Sequence, residues 1–230
     1  AIDKSVEYLE SGKGTDEENT LVKRFIGEAK FLKAWSYFEL VTSFGRVPVK
    51  KHFSDLNQND TPRSDVAEIW AYVEELLKEA IPDLPASYSK PDYGRATSGA
   101  ANALLGKAYL FQAKYAEAAN ALDKVSGDLL PFDKYHWNFS DQDDEENNIE
   151  TIFQVQIKYI PGSKVWGYGN VEQGEPGGTC HTARAMEYGF NDWANVYVSR
   201  GAASKFRYTD SQGKTIDDPR GSQTFYGSTD

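Results

Sequence analysis

Covalent staples are missing from this chain. Its 230 residues include one cysteine, Cys180, so no internal disulfide can form. Histidine is scarce as well, with only His52, His136 and His181. Structural zinc takes about four Cys or His ligands, so Cys180 beside His181 reads as an unpaired loop thiol and no metal site is expected. No apolar run approaches the ~18 residues that a membrane-spanning helix requires. Positive charge is in deficit: 25 Lys and Arg stand against 35 Asp and Glu, for a net charge of −10. A nucleic-acid partner needs a basic face, and adhesion to anionic headgroups needs a polybasic patch. This balance argues against both and leaves neutral ligands such as sugars open. No signal peptide opens the chain, and both ends read as cut, so a fragment of a longer protein is expected.

Catalytic signatures are also lacking. No phosphate-binding glycine loop, nucleophile elbow or metal-binding histidine pair occurs. A glycosidase needs two carboxylates flanking one bond, and acidic residues are plentiful, so composition alone does not forbid that chemistry. With every motif absent, the expectation is no enzyme, no catalytic residue and no cofactor. What is abundant is apolar and aromatic surface. Hydrophobic residues make up 40% of the chain, enough for a sizeable core. Aromatics make up 13%, including 14 Tyr and 5 Trp, which is rich for a plain helical scaffold and calls for flat faces with a use.

The strongest local pattern is a helix pair in ANALLGKAYLFQAKYAEAANALDKV. Leu105, Gly106, Tyr109, Ala118, Leu122 and Val125 follow the tetratricopeptide spacing. Gly106 and Ala118 are small enough for two helices to approach closely, while Tyr109 and Leu122 fill the space between. One such unit cannot bury its own apolar face, so further helices must cover it. Upstream, residues 1–11 read as a helix ending at Gly12. Thr15 to Thr20 reads as a polar entry to a long helix over Leu21–Phe44, with Val22, Phe25, Ala29, Leu32, Trp35, Phe38 and Val41 as its inward stripe. Gly45 and Pro48 end that helix. Another helix follows a Ser64 or Asp65 cap and carries Val66, Ile69, Trp70, Val73, Leu76, Leu77 and Ala80 up to Pro82. Trp35 and Trp70 lie on apolar faces and read as core.

Beyond Pro131 the character changes. LPFDKYHWNF has no clear helical period, and its Phe132, Tyr135, Trp137 and Phe139 read as packing between lobes. Asp141, Asp143, Asp144 and Glu145 read as a solvated acidic turn rather than a calcium loop, because no glycine takes the sixth position of an EF-hand. IETIFQVQIKYI reads as a strand. Residues 161–178 form a long glycine-rich loop that carries Trp166 and Tyr168, and loops of that length in compact proteins are usually functional. Short helices are expected over Arg184–Asn195 and Val196–Phe206, followed by a turn-rich end.

Four blocks of this sequence, taken together, resemble the SusD/RagB family of nutrient-binding outer-membrane lipoproteins of Bacteroidetes. GEAKFLKAWSYFELVTSFGRVPVK is similar to its long helix leading into Gly45 and Pro48. RATSGAANALLGKAYLFQAKYAEAANALDKV is similar to its next helix pair, NNIETIFQVQ to its strand-like segment, and DDPRGSQTFYG to its Asp-Pro-Arg turn. The resemblance implies a mainly α fold: a right-handed, tetratricopeptide-like helical-repeat superhelix with an irregular lobe of loops and short strands packed on it. The expected division is a helical region at 1–130 and a ligand-binding lobe at 131–230. Members carry a lipid-modified cysteine after a signal peptide and run longer than this chain, so membrane attachment through a lipid anchor is an inference about the parent protein.

The resemblance also implies non-catalytic capture of an oligosaccharide, or in some members a peptide, at the cell surface. Delivery would be to a SusC-like TonB-dependent transporter. Sugar rings offer apolar C–H faces to aromatic side chains and hydroxyls to Asn, Gln, Asp, Glu and Arg. The candidate ligand-binding residues are Trp166, Tyr168, Tyr188 and Trp193, with Asn170, Arg184 and Asn191 as polar partners. The family places part of its ligand surface in the interval they occupy. Burial is the competing reading for Trp193, Trp166 and Tyr188. Two other functions compete with glycan capture: a peptide-capturing relative of the same architecture, and a helical-repeat scaffold that binds a protein on its concave face.

Overall fold

The structure is a computed structural model and describes residues 1–57, 60–139, 145, 148–155 and 199–221. It forms two compact units, Ala1–Val155 and Gln156–Asp230. Among its described residues the first contains five α-helices: α1 (Ile2–Glu10), α2 (Asp16–Phe44), α3 (Val66–Ala80), α4 (Ser98–Phe111) and α5 (Tyr115–Leu122). Each packs on the next in chain order. This sequential packing of helix on helix is the mainly α, tetratricopeptide-like arrangement expected of the sequence.

The start of α2 differs from expectation. It begins at Asp16 rather than Leu21, because Thr15 closes a capping box. The Thr15 hydroxyl accepts from the Glu18 N–H at 3.2 Å, and the Glu18 carboxylate accepts from the Thr15 N–H at 2.8 Å. Asp16, Glu17 and Glu18 then sit at the positive end of the helix dipole. At the far end Gly45 takes φ 66°, a conformation costly for other residues, and its N–H donates to the Val41 carbonyl at 3.0 Å. The buried face also differs. Ile26, Phe31, Ala34, Tyr37, Phe38 and Val41 face inward, while Phe25 and Leu32 are 41% and 49% exposed. Apolar residues ring much of this helix, so periodicity alone left its orientation open. The packing of α3, together with Phe153 against Phe31, decides which of them are covered.

Helix α3 is the centre of the unit and packs on both α2 and α4. Asp65 caps it, its N–H donating to the Glu68 carboxylate at 3.2 Å. Ile69, Val73 and Leu77 are fully buried. Their spacing of four puts them on one face, and each contributes about 1.5–3 kcal/mol by leaving water. Trp70 is buried as expected, at an edge-on 5.5 Å from Phe38.

One carboxylate is also buried on α3. Glu74 accepts from Lys114 Nζ at 2.6 Å, Gln112 Nε2 at 3.0 Å and Lys78 Nζ at 3.2 Å, tying α3 to the α4–α5 turn. The α4–α5 contact follows the expected pattern. A Cβ on Gly106 would lie 2.6 Å from Leu122 Cγ, so only glycine admits the second helix at this distance without displacing that side chain. Ala118 and Tyr109 are buried beside it.

Past α5, Phe132–Phe139 forms a 3-10 helix where no helical period was legible. Phe132 and Phe139 are exposed rather than packed, 46% and 76%, and the rings of Phe132, Tyr135 and Phe139 lie against one another. Of the strand expected over residues 149–160, the described part, 149–155, forms a turn, a bend and irregular chain instead, and 156–160 lie outside the described residues. No neighbouring strand is present among the described residues of this unit to pair with them, and a lone strand leaves its backbone groups unbonded. Trp35, expected in the core, is half-buried.

In the second unit Ser199 caps the short helix α6 (Arg200–Ala203), followed by a 3-10 turn at Ser204–Phe206. Of the helix expected over Val196–Phe206, Arg200–Phe206 is helical, but Ser199 is an extended cap, so the helix starts later than expected. Strands β1 (Arg207–Thr209) and β2 (Thr215–Asp217) pair antiparallel, with Tyr208 opposite Ile216. Asp210 closes their loop by accepting from the N–H groups of Gln212 and Lys214, each at 2.9 Å. The Asp-Pro-Arg turn follows. Side-chain hydrogen bonds from Arg220, then its backbone N–H, hold the Asp218 carboxyl down at about 2.

Candidate functional site

Among the described residues of the first unit, a cleft of about 330 Å³ opens between residues 86–97 and 149–154. Its volume is at the small end of the roughly 300–1,000 Å³ typical of ligand sites.

The first wall follows from the end of α3. Pro82 and Pro85 forbid its continuation, and buried Leu84 returns the chain to the core. The Ser98 N–H donates to the Pro85 carbonyl at 2.9 Å, closing residues 86–97 into a loop that ends where the Thr97 hydroxyl caps α4. Tyr88, Tyr93 and Arg95 of this loop line the cleft. Tyr93 is 48% exposed, which leaves ring surface open to solvent.

Glu28 on α2 holds the loop in place. Its carboxylate accepts from the Tyr88 hydroxyl at 2.9 Å and from Arg95 Nη1 at 2.8 Å. Arg95 Nε donates to Asp92 at 2.7 Å. Arg24 completes the set, lying 3.4 Å from Glu28 and 3.7 Å from Asp92, with its guanidinium 5.6 Å from the Tyr88 ring centre. Burial, reinforced by the Glu28 carboxylate, pushes the Tyr88 phenol well above its ordinary value, so it stays a donor at any working pH. Hydrogen bonds to Asp92 and then Glu28 push the Arg95 guanidinium up as well.

The second wall is pegged by Phe153. Its ring stands edge-on to Phe31 at 4.9 Å and to Trp35 at 5.5 Å, which fixes this segment on α2. Glu150 adds a polar tie, accepting from the Leu130 N–H at 3.2 Å and from Asn138 Nδ2 at 3.0 Å. On its other side, Phe153 with Ile152 borders a second, apolar groove of about 260 Å³ lined also by Trp35 and Leu104.

The main cleft thus joins apolar surface (Ile149, Ile152 and the Tyr93 ring) to hydroxyl and amide groups (Ser87, Thr97, Thr151 and Gln154). Such a lining suits a ligand with alternating C–H faces and hydroxyls. From local pattern alone SYSKPDYG reads simply as loop. The available signal was two tyrosines and an arginine within a proline- and glycine-bounded turn.

The candidate residues named from the sequence, Trp166, Tyr168, Asn170, Arg184, Tyr188, Asn191 and Trp193, lie outside the described residues, as do Cys180, His181, Asp141, Asp143 and Asp144. Glu145 is described, half-buried, with its carboxylate 3.9 Å from His136. Among the described residues no three His, Cys, Asp or Glu gather as a metal site would require. Among the same residues, no helix is long and apolar enough to cross a membrane.

Comparison with known proteins converges on one group. A SusD-like family, described as starch-binding associating with outer membrane, matches residues 2–110. The starch-binding protein SusD of Bacteroides thetaiotaomicron is 31% identical over 157 residues, which cover 63% of this chain and 27% of that protein. A SusD-like protein of Bacteroides fragilis superposes with a TM-score of 0.57 at 32% identity, covering 68% of this chain and 32% of its own. A laminarin-binding SusD-like protein superposes at 0.52 and 30% identity, covering 61% and 32%. The chain therefore spans about a third or less of the length of these relatives.

Proposed function

We propose, from the likeness of its helical region to the SusD-like family, that the chain belongs to that family and that its parent protein binds an oligosaccharide at the cell surface without catalysing a reaction. The observation that carries the proposal is the cleft beside Tyr88 and Tyr93, where ring surface and uncharged hydrogen-bonding groups converge on one small space. The relatives named above point the same way: one is a starch-binding protein, another binds laminarin.

In this reading the helical region 1–130 is a rigid platform, and 131–230 is the ligand-binding lobe. Trp166, Tyr168, Tyr188 and Trp193 supply ring faces, while Asn170, Arg184 and Asn191 pair with sugar hydroxyls. A lipid anchor on the parent protein would hold it at the outer membrane, and a SusC-like TonB-dependent transporter would receive the ligand. Titration calorimetry against a panel of neutral oligosaccharides and peptides tests the proposal. Saturable binding of a glycan supports it, and binding of peptides alone overturns it. If Trp166→Ala and Trp193→Ala both leave glycan affinity unchanged, the residue assignment fails even where binding stands.

A further inference from the structure

The charges beside the cleft make a closed circuit. Arg24 meets Glu28, Glu28 meets Arg95, Arg95 meets Asp92, and Asp92 returns to Arg24, at 3.4, 2.8, 2.7 and 3.7 Å. Two guanidiniums alternate with two carboxylates, so the set sums to zero. Arg95 is the one charged group among the described residues lining the cleft. Its Nε and Nη1 are already spent on carboxylates, while its side chain remains 41% exposed. What it presents to a ligand is a fixed fan of N–H donors with no net field behind it.

We propose that this cleft selects uncharged glycan segments and discriminates against those bearing uronate or sulfate groups. The inference rests on the carbohydrate reading above and narrows it. A neutral sugar hydroxyl accepts from the remaining Arg95 donors at no electrostatic cost. An anionic group placed there would gain Arg95, but it would face the Glu28 and Asp92 carboxylates bound to the same guanidinium. That like-charge penalty cancels the attraction. The circuit also fixes the donor in space before the ligand arrives, so little side-chain entropy is lost on binding.

The test is calorimetry on the whole chain with maltohexaose, laminarihexaose, cellohexaose and the hexamer of galacturonate, at low and high salt. The expected result is that at least one neutral hexamer binds and that the uronate hexamer binds at least about tenfold more weakly than it. Asp92→Asn leaves the circuit with one uncompensated positive charge. The ratio of neutral to uronate affinity should then fall several-fold at low salt and recover at high salt. Tight uronate binding by the unaltered chain, or an Asp92→Asn ratio that does not move, overturns the charge selection while leaving glycan binding intact. Binding of no hexamer at all overturns the carbohydrate reading itself and this inference with it.

Discussion

Replacing Phe153 with alanine tests how the cleft wall is held. The ring is half-buried and touches Phe31 and Trp35 edge-on at 4.9 and 5.5 Å. Truncating a fully buried Phe costs about 3–5 kcal/mol, so half burial brings the loss to about 2 kcal/mol, with the two aromatic pairs included. The helices lose little by comparison, because the fully buried Ile69, Val73 and Leu77 lie on α3. The loss should therefore appear as local opening of residues 148–155 and not as a shift in global unfolding. Hydrogen exchange reads this directly at Thr151, whose N–H donates to the Asn148 carbonyl at 3.0 Å. About 2 kcal/mol predicts exchange roughly thirtyfold faster there, with the urea midpoint moving far less. If Thr151 exchange is unchanged while the urea midpoint falls by the full amount, the segment is part of the cooperative core and the peg argument is wrong.

Two further outcomes follow from the helical core. Leu77→Ala should cost about 2–5 kcal/mol in urea unfolding, since the side chain is fully buried among α2, α3 and α4. A loss below 1 kcal/mol would show that the site collapses freely. Glu74 predicts a pH effect. Burial pushes its carboxyl up, but hydrogen bonds from Lys114, Gln112 and Lys78 outweigh this and hold it below its usual value. A depressed folded value means the stabilisation is present above about pH 4.3, the ordinary Glu value, and is lost as pH falls through the folded value. The stability gap between the unaltered chain and Glu74→Gln should narrow from pH 6 to pH 3 in denaturant melts. A gap constant over that range refutes the linkage.

Much of the helical framework is readable from local chemistry. Gly45 after Phe44, prolines after α3 and the Gly106–Ala118 spacing each act through sterics within a few residues, and each is found where expected. The true start of α2 was legible too, since Thr15 and Glu18 spell a capping box, but the polar DEENT that follows reads as loop when hydrophobic periodicity is the only guide. The inward face of α2 was legible only towards its end, at Phe38 and Val41. Phe25 and Leu32 are as apolar as Phe31, and only the folded neighbours of α2, Phe153 among them, decide that Phe31 is covered and they are not. The described part of the strand expected in IETIFQVQIKYI, residues 149–155, is not a strand for the converse reason: its composition suits one, but pairing needs a partner that composition does not supply.

Local pattern settled which segments coil and where they stop, because caps, prolines and glycines act on their own backbone. Family likeness is likewise carried by residues within single helices and turns. The cleft had to wait for the folded chain. Glu28, Arg95 and Phe153 lie far apart along the sequence, and only the packing of α2 beside the 86–97 loop and the 149–154 segment makes them neighbours. Charge neutrality at that site is likewise a property of distances between side chains, so no count of Lys, Arg, Asp and Glu along the chain contains it.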